Sequence, residues 1–262
     1  MTLITLNNKS YNIPSQWNEL TIKQLLEVMD TLFLKEYPAE QMLLKLLKVL
    51  TGMSTYQFLK CKVEEMEEFF YLFDFILQEN IEFTKCILPV VENFHGPSDE
   101  MSNLKMSEFA YLEHFIVKWF DDKEDKEAVD ELVAILYRPA KEKYDFDRNP
   151  DGDFRVKFNE NLCSYNAKNE VAGWPVNLKL AIVYWYIGCR KKFVDNNPEV
   201  FNGGSGEPAK YGLVSVMLDV AEGGVFGNFE SVEDQYVNLI MMQLNQTIDK
   251  ANKMEKASAG SA

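Results

Sequence analysis

The sequence predicts a mainly α-helical protein, a multi-helix bundle-like array with a small N-terminal β-hairpin. Three observations lead there. Apolar residues recur at i, i+3 and i+4 through most of the chain, as in Ile22, Leu25, Leu26, Met29, Leu32 and Phe33. Helix starts and stops are written in capping residues, with Thr21, Ser54 and Ser107 where N-caps belong and Gly52 where a helix closes. Period-two alternation is weak and confined to residues 2–13.

In chain order, Leu3 and Thr5 alternate with Ile4 and Leu6, and Asn7-Asn8-Lys9 supplies a turn. Tyr11 and Ile13 resume the pattern before Pro14, which makes a hairpin. Thr21 then opens the first helix. Pro38 stands at the first turn of the next, whose face is Met42, Leu43, Leu46, Leu47 and Leu50. Ser54 opens a short helix through Tyr56, Phe58 and Leu59. One continuous helix is expected from about Val63 to Gln78, its face built by Met66, Phe69, Phe70, Phe73 and Ile76 or Leu77. Phe94 to Asp99 reads as loop. Ser107 is expected to cap a helix carrying Phe109, Leu112, Phe115, Ile116, Trp119 and Phe120. The next helix holds Val129, Leu132, Val133 and Leu136 and is stopped by Pro139.

Residues 140–152 are polar and Asp-rich, and Asn149-Pro150-Asp151-Gly152 is turn chemistry. They divide the chain into an N-terminal half, 1–139, and a C-terminal helical half, 153–255, with a flexible tail at 256–262. A helix near 154–166 comes first. The segment Val176–Phe193 follows, apolar all round and so the most buried helix of the second half. Two more helices are expected, one ending at Gly223-Gly224 and one from Ser231.

The formal charge of -14 argues against a nucleic-acid backbone as partner, since that requires clustered Lys and Arg. It argues equally against an anionic membrane surface. The longest uncharged apolar run, Leu180 to Cys189, falls well short of the ~20 residues that span a bilayer, and no signal peptide is read, so the expected location is the cytoplasm. Cys61, Cys86, Cys163 and Cys189 are far apart and read as reduced thiols.

No catalytic constellation and no cofactor motif is read. Asp147, Asn149 and Asp151 with Gly152 fit the opening of a calcium loop, but Phe158 stands where the bidentate Glu belongs and Glu160 comes two residues late. Turn chemistry accounts for the same residues. Gly203-Gly204-Ser205-Gly206 lacks the Lys-Ser/Thr ending of a phosphate loop. His95 and His114 have no metal-ligand spacing around them. Phe69, Phe70, Tyr71, Phe73 and Phe75 are too many for one helix face, so another helix, from this chain or a partner, must cover some of them.

One segment carries a family likeness. Pro14, Trp17, Glu19, Leu20 and Thr21, then Leu50-Thr51-Gly52-Met53-Ser54, then Leu72, Phe73, Phe75 and Ile76 form a pattern that resembles tail assembly chaperones of tailed phages. Ala134–Pro139 with Glu142-Lys143-Tyr144, and Ala221–Gly227, match further. The resemblance implies a non-enzymatic protein of the infected host's cytoplasm that binds the helical tape-measure protein, or another tail protein, until tube subunits polymerise around it. Partner binding is expected on the helices of this opening stretch, at Phe69, Phe70 and Phe73, where apolar residues are in surplus, and self-association is a further expectation. The Asp- and Asn-rich stretch 145–152 and the long segment 159–175 depart from the pattern, which leaves open a structural virion component, a ring or adaptor of the head–tail connector or tail.

Overall fold

The computed structural model describes residues 1–78, 81–123, 125–142, 153–202 and 212–259. Strands β1 (Thr2–Leu6) and β2 (Lys9–Ile13) form the expected hairpin, antiparallel with Leu6 opposite Lys9. The two turn residues, Asn7 and Asn8, have φ of 49° and 58°, the left-handed pair that a right-twisted hairpin requires and Asn tolerates. Ile4, Leu6 and Ile13 are buried.

Helix α1 (Ile22–Met29) starts in a capping box: the Gln24 N–H donates to Thr21 Oγ1 and the Thr21 N–H donates back to Gln24 Oε1 at 3.0 Å. It runs into a π turn, Asp30–Leu34. Helix α2 (Ala39–Thr51) is closed by Gly52 at φ 65°, and α3 (Thr55–Phe58) opens with a second capping box, Ser54 with Gln57. The long helix expected over 63–78 is in fact three pieces: α4 (Val63–Glu67), a 3₁₀ turn (Phe70–Phe73) and α5 (Asp74–Leu77). Consecutive aromatic side chains lose rotamer freedom in a regular helix, and the tighter turn lets Phe73 reach the core while Tyr71 faces water.

Strands β3 (Val90–Val91) and β4 (Phe94–His95) begin a small antiparallel sheet where a loop was expected. Helix α6 (Met106–Asp121) begins one residue before Ser107, which therefore does not cap it; the Met106 N–H donates instead to the Gln235 carbonyl at 2.8 Å. Helix α7 (Lys126–Leu136) is capped by Asp125 and ends before β5 (Arg138–Pro139), which pairs with β4. The chain after 152 is extended, not helical: Val156 N–H donates to the Pro139 carbonyl and Lys141 N–H to that of Phe154. Helix α8 (Glu160–Asn169) starts only after it.

Helix α9 (Val176–Asp195) is followed by α10 (Pro198–Asn202), α11 (Leu213–Glu222) and α12 (Phe229–Glu233). The last helix, α13 (Val237–Ala259), is separate from α12 because Tyr236 bridges in extended form to Lys105. The tail expected from Lys256 is thus still helical through Ala259.

Two compact units result, and they cut the chain elsewhere than the expected halves 1–139 and 153–255. Unit 1 is Met1–Pro89 with Asn169–Lys191, and unit 2 is Val90–Lys168 with Lys192–Ala262. Composition marks a loop at 140–152 but not which helices pack together; Ala140 bridges to Arg155 across it, inside unit 2. In unit 1, Trp17 stacks on Phe83 at 5.7 Å and meets Phe75 and Tyr184 at 6.0 and 6.2 Å. Gly188 is required there, since a Cβ would stand 2.4 Å from the Phe83 carbonyl oxygen. In unit 2, Phe109, Leu112 and Ile116 of α6 and Leu132, Val133 and Leu136 of α7 are fully buried.

Candidate functional site

In unit 1, the segment from Ser54 to Leu77 leaves several large apolar side chains in water. Tyr56 on α3 and Leu59 at its C-cap, three residues apart, are 69% and 76% exposed, and Val63, Tyr71 and Leu77 are exposed as well. Lys60 lies over the Tyr56 ring at 4.0 Å. A four-residue helix closed by two turns cannot bury both its faces, which is why these side chains stay outside. Of the three residues expected to bind a partner, Phe69 and Phe70 are half-buried, and Phe70 touches Phe73 at 5.9 Å between ring centroids. Phe73 itself is completely buried, so it belongs to the core and offers a partner nothing. The periodicity that placed all three on one face assumed an unbroken helix. Tyr56, Leu59 and Val63 were missed, although their crowding into the short stretch between two helix caps was a usable signal.

Unit 2 holds a different feature, a buried knot of charge. Glu108 of α6, Arg138 of β5, and Arg155 and Asp153 of the extended stretch after 152 are all buried. Glu108 bridges the two guanidiniums, accepting from Arg138 Nη2 at 2.8 Å through one oxygen and from Arg155 Nη2 at 3.2 Å through the other. Asp153 accepts from Arg155 Nε and Nη2, both at 2.9 Å. Three further arginine N–H groups go to backbone: Arg138 Nε to the Val156 carbonyl, Arg138 Nη1 to that of Ile135 and Arg155 Nη1 to that of Leu136. The arginines thereby clip the end of α7 and the strand after 152 onto α6. Burial opposes the charged form of Asp153, but the Arg155 guanidinium overrides it and holds the carboxyl below its usual range. A carboxyl shifted that way is a poor proton donor at neutral pH, so the knot works as a structural clamp. No sequence signal announced it, because its members lie up to 47 residues apart.

A groove of about 600 Å³ lies beside α6 and α11, walled by Ala110, Leu213, Val214 and Met217 with Glu113 and Glu233 at its edge. Tyr111 stands in its wall and donates to Glu160 at 2.6 Å. That hydrogen bond, then burial, then the nearby charges of Glu160 and Glu233 push the phenol up to about 12.

His114 borders the same groove, and His95 stacks on Phe154 at 6.0 Å; the two histidines are not brought to one site. The calcium-loop candidates Asp147, Asn149 and Asp151 lie outside the described residues, as does Gly203–Gly206. Among the described residues no group of three His, Cys, Asp or Glu side chains could hold a metal ion, and no helix is long and apolar enough to cross a membrane. All four cysteines are free thiols; burial pushes that of Cys163 up to about 11, which keeps it protonated and unreactive. No family model, no curated protein and no solved structure matches this chain, so its function has to be argued from these surfaces.

Proposed function

We propose that the chain is a non-enzymatic interaction protein of a tailed phage, a tail assembly chaperone that holds the helical tape-measure protein in the host cytoplasm during tail morphogenesis. The exposed apolar side chains Tyr56, Leu59, Val63 and Tyr71 carry this reading. They lie in the same stretch, Pro14 to Ile76, that resembles tail chaperones. Chemically, such side chains suit the apolar stripe of an amphipathic helix, and half-buried Phe69 and Phe70 beside them extend the surface. A net charge of -14 favours solubility of a complex whose partner is prone to aggregate.

The test is co-purification. A tagged chain recovered from infected cells brings down a long helical protein, and Tyr56→Asp with Leu59→Asp abolishes the capture while leaving the circular dichroism spectrum unchanged. Capture of no helical protein, or capture indifferent to both substitutions, overturns the reading. A second reading, a ring or adaptor of the virion, is favoured by the two-unit size of the chain. Finding the chain in purified particles selects it over the chaperone.

A further inference from the structure

We infer that the chain self-associates through unit 2, the exposed end of α13 from one copy seating in the α6–α11 groove of a second copy. Two observations carry this, and neither involves the segment 54–77 or depends on the proposed function. The first is the state of α13 itself. Its first turns are anchored, with Val237, Ile240 and Met241 buried, but every residue from Asp249 to Met254 is exposed, Met254 at 71%. Asp249 to Met254 therefore has little tertiary burial of its own, the contribution that holds most protein helices.

The second observation is a match of shape and charge. The exposed end of α13 presents Ala251 and Met254, three residues apart, flanked by Lys250, Lys253 and Lys256, with Asp249 the one exposed carboxylate from Asp249 to Met254. At 600 Å³ the groove has room for apolar side chains of that size, and its apolar wall is Ala110, Leu213, Val214 and Met217. Its border carries two carboxylates, Glu113 and Glu233, beside the imidazole of His114, and Glu160 reaches it through the Tyr111 hydroxyl. An apolar groove edged by carboxylates takes a helix whose apolar stripe is edged by lysines, and this chain carries such a helix. Reciprocal exchange between two copies satisfies both grooves and closes as a two-fold pair, with neither surface left over to propagate a filament.

Sedimentation velocity on the full chain decides it. The expected result is a dimer that dissociates as salt rises. Lys250→Glu with Lys253→Glu weakens it about tenfold or more, and Glu233→Lys does the same. Combining all three restores the dimer, which separates lost complementarity from lost folding. A chain ending at Ile248 is monomeric with its thermal transition retained. A monomer at every soluble concentration, a dimer unmoved by the charge reversals, or a combination that fails to restore it overturns the proposal. So does a monomer in which a different protein fills the groove.

Discussion

Unit 1 excludes water with rings, and unit 2 encloses a set of charges. Around Trp17, unit 1 gathers Phe75, Phe83 and Tyr184 within about 6 Å, and Gly188 brings helix and backbone close enough to close the gap. Unit 2 has an ordinary apolar seam between α6 and α7, but it also buries Glu108, Arg138, Asp153 and Arg155 in one hydrogen-bonded group. Ring packing leaves no charge behind when a contact is lost and degrades by degrees as volume is removed. A buried ion group adds little net stability over apolar side chains of the same shape, yet losing one member leaves the others charged and unpaired. The two units therefore differ in how they fail.

The largest expected effect tests that difference directly. Glu108→Ala strips buried Arg138 of its carboxylate, leaves Arg155 to Asp153 alone and costs unit 2 about 3–5 kcal/mol, read as faster hydrogen exchange in α6 and α7 with α1 and α2 unaffected. Equal loss of protection in both units breaks the comparison. Gly188→Ala is the matching insult to unit 1, forcing a Cβ against the Phe83 backbone at a cost of about 1–3 kcal/mol. Three of the four tryptophans, Trp17, Trp174 and Trp185, lie in unit 1, so fluorescence melting follows this variant well.

Acid comes next. The Asp153 carboxyl is held below its unfolded value, so its contribution is present above the unfolded pKa near ~3.9 and lost as pH falls through the lower folded one. Unit 2 accordingly loses protection before unit 1 on titration below about pH 4, and Asp153→Asn flattens that dependence. Thr21→Ala removes the α1 cap and costs about 1 kcal/mol, measured by urea titration. Smallest of all, Leu59→Ser changes stability by less than ~0.5 kcal/mol, because its side chain is already in water. A larger loss means that Leu59 packs in solution.

What the sequence makes legible is local chemistry. Asn7-Asn8 announces its turn, Thr21 with Gln24 and Ser54 with Gln57 announce their capping boxes, and Gly52 its left-handed closure; all are settled within a few residues. The 63–78 segment was misread because its apolar spacing fits a helix, whereas aromatic crowding broke the ladder twice. The misplaced start of the helix after 153 has a different cause. Arg155 is drawn into extended form by partners on α6 and α7, which no neighbouring residue reveals. The candidate surfaces divide in the same way. Phe69 and Phe70 lie in the stretch the sequence pointed to, but only packing shows that Phe73 is inside and Leu59 outside.

Helix α9 belongs to unit 1 as far as Lys191 and to unit 2 from Lys192 onward. During synthesis this imposes an order of events. When residue 89 has left the ribosome, Trp17 and Phe83 are present, but Tyr184 and Gly188, against which they pack, are still a hundred residues of translation away. Residues 90–168, a large part of unit 2, emerge in the interval. The first-made segment thus waits with aromatic surface uncovered, and at about 5–20 residues per second the wait lasts several seconds, long enough to engage a holding factor in the cell. Slowing translation within 90–168 is expected to lower the soluble yield, whereas slowing it after 191 is not.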